Sequence, residues 1–207
     1  DFRIITRQKT VSKLMVIDKE FNFKNNQSSS NWEQNIIIIL GLIRILNIKI
    51  KNIIPSIMKL TPIEGRGKKF QITHEKKSFT LIDESYNSSP ESLARAIENL
   101  KNLKFNHTRK ICVIGDMLEL GRMSKSSHLK IVENLLNTKP DIILTVGKHS
   151  YAIFEKLPEN FLKFHFKNYK NVFDKLLSII ENKDIIMIKG SNSTNLHLVS
   201  KRLIELK

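Results

Sequence analysis

The chain has 207 residues, of which 41% are hydrophobic and 27% charged, the balance of a folded globular protein and not of a disordered or collagen-like one. Its net charge of +15 raises a nucleic-acid reading. That class is set aside because the lysines greatly outnumber the arginines, are spread along the whole chain and have no aromatic ladder beside them.

Cys112 is the single cysteine, so no internal disulfide can form, and a reducing, cytoplasmic setting is expected with Cys112 as a buried structural thiol. The longest apolar run, residues 36–43, is far short of the roughly 20 residues that span a bilayer. Opening on Asp1 without a charged-then-apolar leader, the sequence reads as a fragment of something longer.

In chain order, residues 2–6 and 14–17 alternate as two short strands, followed by a polar loop over 22–30. Residues 31–47 are apolar on nearly every side, which predicts a buried helix. A second helical period runs through Ile50, Ile53, Ile54 and Ile57, with Pro55 kinking it or marking its first turn. The Gly- and Pro-rich stretch TPIEGRG at 61–67 marks a domain boundary, giving domains 1–66 and 67–207.

From residue 68 onward strands and helices alternate. Strands are expected at 69–73, 78–83, 110–114, 142–146, 161–166 and 185–189, and helices at 90–103, 126–137, 149–156, 171–181 and 195–206. Ser89 is the N-cap of the first of these helices, with Pro90 at its first position. The fold class is α/β: a Rossmann-like, mainly parallel sheet with helices on both faces, preceded by a smaller strand-and-helix piece.

Four apolar strands end in polar residues: LIDESYNSSP at 81–90, KICVIGD at 110–116, DIILTVGK at 141–148 and DIIMIKGS at 184–191. Parallel sheets bind ligands beyond the carboxyl ends of their strands, so these tips predict one shared nucleotide-handling crevice. Asp83 and Glu84 offer acceptors to ribose hydroxyls, but neighbours on a strand face opposite ways, so only one can face a ligand. Asp116 and Glu119 are metal ligands or turn and capping residues, and His128 is a site histidine or a core one. Lys189 offers charge to a phosphate or carboxylate, or is a solvated strand end. No G-x-x-x-x-G-K-[ST] phosphate loop and no G-x-G-x-x-G fingerprint is present, so the chain is not a free-standing kinase or dehydrogenase.

Taken in order, DESYNSSP at 83–90, GDMLELG at 115–121, His128, Val146-Gly147 and KGS at 189–191 resemble the carboxyl-terminal part of the Mur ligase family. GRG at 65–67 is similar to the family's interdomain hinge, and 31–35 to its H-x-x-x-N helix start, with Asn31 in place of histidine. Ser88-Ser89 replaces the family's Ala-Asn. The resemblance implies ATP-driven amide synthesis through an acyl phosphate, with Mg2+, in the branch that joins D-alanyl-D-alanine to UDP-N-acetylmuramoyl-tripeptide. It implies that residues 1–66 end a central ATP-binding domain and that 67–207 form the third, Rossmann-like domain. ATP contacts fall on Asn35, Arg66, Glu84, Tyr86 and Asn87, with Arg66 near the γ-phosphate, and dipeptide contacts on Lys189 and Ser191. It assigns no catalytic residue and no metal ligand to this chain, which is expected to be inactive alone, monomeric and free of membrane insertion and of specific nucleic-acid binding. The competing expectation is a Rossmann-like nucleotide-binding module without chemistry of its own.

Overall fold

The computed structural model describes residues 2–7, 11–16, 19–24, 30–57, 59–103 and 108–206. The chain divides into two compact units, Asp1–Thr61 and Pro62–Lys207.

The first unit is an antiparallel sheet of β1 (Phe2–Arg7), β2 (Val11–Val16) and β3 (Lys19–Lys24), in that order, followed by α1 (Ser30–Ile45) and α2 (Ile50–Ile57). β3 was not expected: three of its residues fall in what the polar composition marks as a loop, although KEFNFK carries aromatics at alternate positions. Ile17 and residues 25–29 lie outside the described residues. Helix α1 buries Ile36, Ile37, Leu40 and Ile43 but leaves Ile38, Leu42 and Ile45 more than half exposed. An apolar residue at almost every position reads as burial all round, whereas the 3.6-residue period lets the sheet cover one face only. Pro55 lies inside α2 and neither starts nor ends it.

In the second unit β4 (Lys68–His74) and β5 (Lys77–Glu84) form an antiparallel hairpin. The remaining strands are β6 (Lys110–Gly115), β7 (Ile142–Val146), β8 (Leu162–Phe166) and β9 (Ile185–Lys189). The sheet order is β4-β5-β9-β6-β7-β8, with every pairing after the hairpin parallel. Strands β6, β7 and β9 are buried on both faces, and their near-continuous Ile, Val and Leu content follows from that.

Helices α3 (Pro90–Asn102), α4 (Ser124–Thr138) and α5 (Tyr151–Lys156) cover one face, and α6 (Val172–Ile179) and α7 (Leu196–Ile204) the other. Alternation along β6 sends Ile111 and Val113 into the α6–α7 core and Cys112 and Ile114 into the α3–α4–α5 core. Burial pushes the Cys112 thiol up to about 12, so it stays protonated and inert. The N-terminus of α3 is a capping box: Ser89 Oγ accepts from Ser92 N, and Ser92 Oγ accepts from Ser89 N.

The last strand, β9, returns to the slot between β5 and β6. Its exit therefore falls between the exits of the other two, and the polar tips meet there. Among the described residues no helix is long and apolar enough to cross a membrane.

Candidate functional site

At the exit of β5 the two acids divide their work. Asp83 is buried, and its Oδ2 accepts a 2.6 Å hydrogen bond from the amide of Gly65 while Oδ1 accepts one from the Ser85 hydroxyl at 2.6 Å. The amide of Gly67 donates to the Asp83 carbonyl, and the amide of Tyr86 to the Gly65 carbonyl. These bonds sew the turn at 65–67 onto the strand end. Gly65 sits at φ +75°, and a Cβ there would lie 2.8 Å from Tyr86 Cβ, so the turn requires glycine. Asp83 is thus committed to structure, and Glu84, on the other face, is the acid left to meet a ligand.

Beside Glu84 the side chains of Arg66, Tyr86 and Asn87 are exposed. The Arg66 guanidinium lies 4.5 Å from the centroid of the Tyr86 ring. An exposed cation–π contact is worth about 0.5–1 kcal/mol, enough to favour this placement and too little to prevent Arg66 from swinging toward a stronger anion. The result is an edge with a carboxylate, an aromatic ring, an amide and a movable guanidinium.

Lys189 stands behind this edge. It pairs in register with Glu84 across β5 and β9, is buried, and donates from Nζ to the Asn87 carbonyl at 2.9 Å and to Glu84 Oε2 at 3.5 Å. Burial lowers its pKa, Glu84 opposes that, and Arg66 adds to it. It is therefore not the solvated strand-end lysine that its sequence position allows. Ser191 is buried as well: its amide donates to the Asp116 carbonyl, and its Oγ accepts from Leu118 N at 2.9 Å and lies 3.5 Å from the Ser88 carbonyl. It ties the exits of β5, β6 and β9 together.

Ser88 Oγ, enclosed in the same knot, has no hydrogen-bond partner. A buried hydroxyl left unpaired costs about 1–3 kcal/mol. Ser88→Ala is accordingly expected to raise stability by about 1 kcal/mol in urea denaturation; a loss of stability would show that the hydroxyl is satisfied.

The exit of β7 joins through Asp116, whose Oδ1 accepts from His149 N at 3.0 Å and from Ser150 N at 2.7 Å. Asp116 therefore acts as a turn cap. Glu119 is exposed, in the left-handed region at φ +63°. His128 is fully buried; its Nδ1 donates to the Ser124 carbonyl at 2.7 Å and its Nε2 accepts from Met117 N at 3.0 Å. Only the neutral ring can do both, and burial lowers its pKa in agreement. His128 is a core histidine that holds the loop after β6.

All four strand exits are thus linked along the carboxyl edge of the sheet. Of the residues expected to bind ligands, Arg66, Glu84, Tyr86, Asn87, Lys189 and Ser191 are gathered in the second unit, with the last two enclosed. Asn35 is exposed on α1 of the first unit. For Asp116 and His128 the structure decides between the alternatives that the sequence left open, a capping residue and a core histidine. The anchoring role of Asp83 was not foreseen, because a carboxylate at a strand end does not reveal its partner. Among the described residues no three His, Cys, Asp or Glu side chains are grouped to hold a metal.

Residues 69–192 match the family model described as "Mur ligase, glutamate ligase domain". The chain belongs to the Mur ligase family. It is 32% identical to the UDP-N-acetylmuramoyl-tripeptide–D-alanyl-D-alanine ligase of Rickettsia prowazekii over 159 residues, covering 75% of this chain and 34% of that protein. The ligase of the same name from Bacillus subtilis is 30% identical over 149 residues, covering 70% of this chain and 32% of that protein. The chain spans about a third of the length of these curated relatives. Its fold is similar to that of the MurF ligase from Thermotoga maritima, solved in complex with ADP, with a TM-score of 0.79, 19% identity and coverage of 99% of this chain and 46% of that one. Glu84, Tyr86, Asn87 and Lys189 lie inside the stretch matched to the Mur ligase domain, as does Ser191.

Proposed function

We propose that this chain supplies the carboxyl-terminal part of an ATP-dependent Mur ligase that adds D-alanyl-D-alanine to UDP-N-acetylmuramoyl-tripeptide, in the cytoplasm, as a monomer. Residues 1–66 would end the central ATP-binding domain and 67–207 would form the third domain. The observation that carries the reading is the edge formed by Arg66, Glu84, Tyr86 and Asn87 at the meeting point of the strand exits, within a chain of this family.

Glu84 accepts hydrogen bonds from ribose hydroxyls. Tyr86 stacks on the purine through the face that Arg66 leaves open, and the Asn87 amide borders the base. Arg66 leaves its weak contact with the ring for the γ-phosphate, where a charge-assisted bond is worth more. The family resemblance also implies a nucleotide contact for Asn35, which is exposed on α1 of the first unit. In the reaction a tripeptide carboxylate oxygen attacks the γ-phosphorus and ADP departs. The dipeptide amine then attacks the acyl phosphate carbon, the amide forms, a proton is lost from nitrogen, and phosphate leaves. The sequence holds no G-x-x-x-x-G-K-[ST] phosphate loop, so phosphoryl transfer is assigned, as the family resemblance implies, to residues outside these 207.

Calorimetric titration of the chain with ADP tests the edge. Binding is expected, with Tyr86→Ala weakening it about tenfold, the value of one stacked base. Binding that is absent, or that ignores Tyr86 and falls only with salt, would overturn the nucleotide reading in favour of plain charge attraction. With ATP, the tripeptide nucleotide and the dipeptide all present, the chain alone is expected to release no ADP; turnover would refute the assignment of phosphoryl transfer to residues elsewhere.

A further inference from the structure

We propose that Lys189 is a positioning residue for the nucleotide edge and not a contact for the incoming dipeptide. The inference rests on the reading of Glu84 and Asn87 as nucleotide-facing and adds a residue that works behind them.

The geometry carries it. Lys189 is the last residue of β9, 3% exposed, and its ammonium has protein partners on the side where Glu84 and Asn87 stand. It holds the Asn87 carbonyl at 2.9 Å and the Glu84 carboxylate at 3.5 Å, both more than 100 residues away in sequence. One donor thus fixes the backbone of the exit loop at the residue that borders the base, and the charge steers the carboxylate that meets the ribose. A short bond from an ammonium to a carbonyl is charge-assisted, about twice as strong as a neutral one, and burial strengthens it further. The same burial argues against a dipeptide contact, because a ligand carboxylate would have to reach an ammonium that is enclosed and already holds two protein acceptors. The charged groups facing Lys189 are Glu84 from β5, which stabilises its protonated form, and Arg66 from the turn before β4, which opposes it.

Three measurements on the full chain test this. First, hydrogen exchange at amides 85–88: Lys189→Met is expected to speed it about tenfold, the loss of one bond to a charged group, while Lys189→Arg recovers most of the protection. Second, ADP affinity is expected to fall about tenfold in Lys189→Met and to recover in Lys189→Arg. Third, in the unaltered chain the Lys189 ammonium should give a slowly exchanging proton signal, assigned by its absence in Lys189→Arg. That signal should move on adding ADP and stay still on adding D-alanyl-D-alanine.

Unchanged exchange at 85–88 in a folded Lys189→Met, or an ammonium signal that answers the dipeptide and ignores ADP, would overturn the proposal. If Lys189→Met does not fold, the ammonium signal decides. Failure of the unaltered chain to bind ADP would sink the nucleotide reading alone. The exchange experiment would then still show whether Lys189 sets the loop.

Discussion

Replacing Gly147 by alanine is expected to lower the unfolding free energy by about 3 kcal/mol, placing it among the most damaging single changes in the second unit. Gly147 sits at φ +115°, a conformation that L side chains rarely adopt, and its Cβ would overlap the carboxylate of Asp116. That carboxylate cannot withdraw without a penalty. It is buried and accepts from the amides of both His149 and Ser150, and moving it would leave two donors unpaired where water does not reach easily. Gly147 N also donates to the Phe166 carbonyl, so the turn cannot simply swing outward. Gly121 supplies the control: it lies at φ +51° with nothing within 4 Å of an added Cβ. Gly121→Ala should therefore cost only the backbone preference, about 1 kcal/mol. Urea denaturation of both variants checks the difference; equal losses would mean that Asp116 does not strap the exits of β6 and β7 together.

The strap also shows where the sequence stops informing. Strands β7 and β9 were readable to the residue, because burial on both faces imposes an unbroken apolar run with sharp polar ends. Helix starts were legible to within a residue or two: α6 and α7 begin one residue after the expected 171 and 195, directly behind short 3-10 turns at Tyr169–Asn171 and Asn192–Thr194. Strand β3 was hidden by its polar composition.

At the site, alternation required that Asp83 and Glu84 face opposite ways but could not say which one the fold would take up. The turn at 65–67, folding back onto one side of β5, takes up Asp83, a contact between residues 18 apart in sequence. Lys189 was a charge at a strand end, and only the return of β9 between β5 and β6 shows that this end is covered. Residue types and spacings thus placed the polar tips. Which tips serve the fold and which face solvent depends on non-local packing.

At the opposite end of the same strands, Arg109→Met is expected to cost about 3 kcal/mol, because it strands a buried carboxylate. Asp184, just before β9, has a side chain 1% exposed, and Arg109 grips it with both arms, Nε to Oδ1 at 3.0 Å and Nη2 to Oδ2 at 2.8 Å. The guanidinium also donates to the Ile179 carbonyl at 2.7 Å and to Glu181 Oε1 at 2.8 Å. Backbone bonds from Ile185 N to the Arg109 carbonyl and from Thr80 N to the Asp184 carbonyl bring β5, β6 and β9 to this clamp. Arg109→Lys should recover only part of the loss, since an ammonium cannot make the paired bonds of a planar guanidinium. The exposed pair of Lys201 and Glu205, with side chains 71% and 61% exposed, is the comparison: Lys201→Met should change stability by no more than about 0.5 kcal/mol. A double-mutant cycle on Arg109→Met and Asp184→Asn, read by urea denaturation, should give a coupling above about 1 kcal/mol. Coupling near zero would mean that the guanidinium and carboxylate act independently. The alignment of β9 between β5 and β6, on which the register of Glu84 with Lys189 depends, would then have to be held from the carboxyl edge alone.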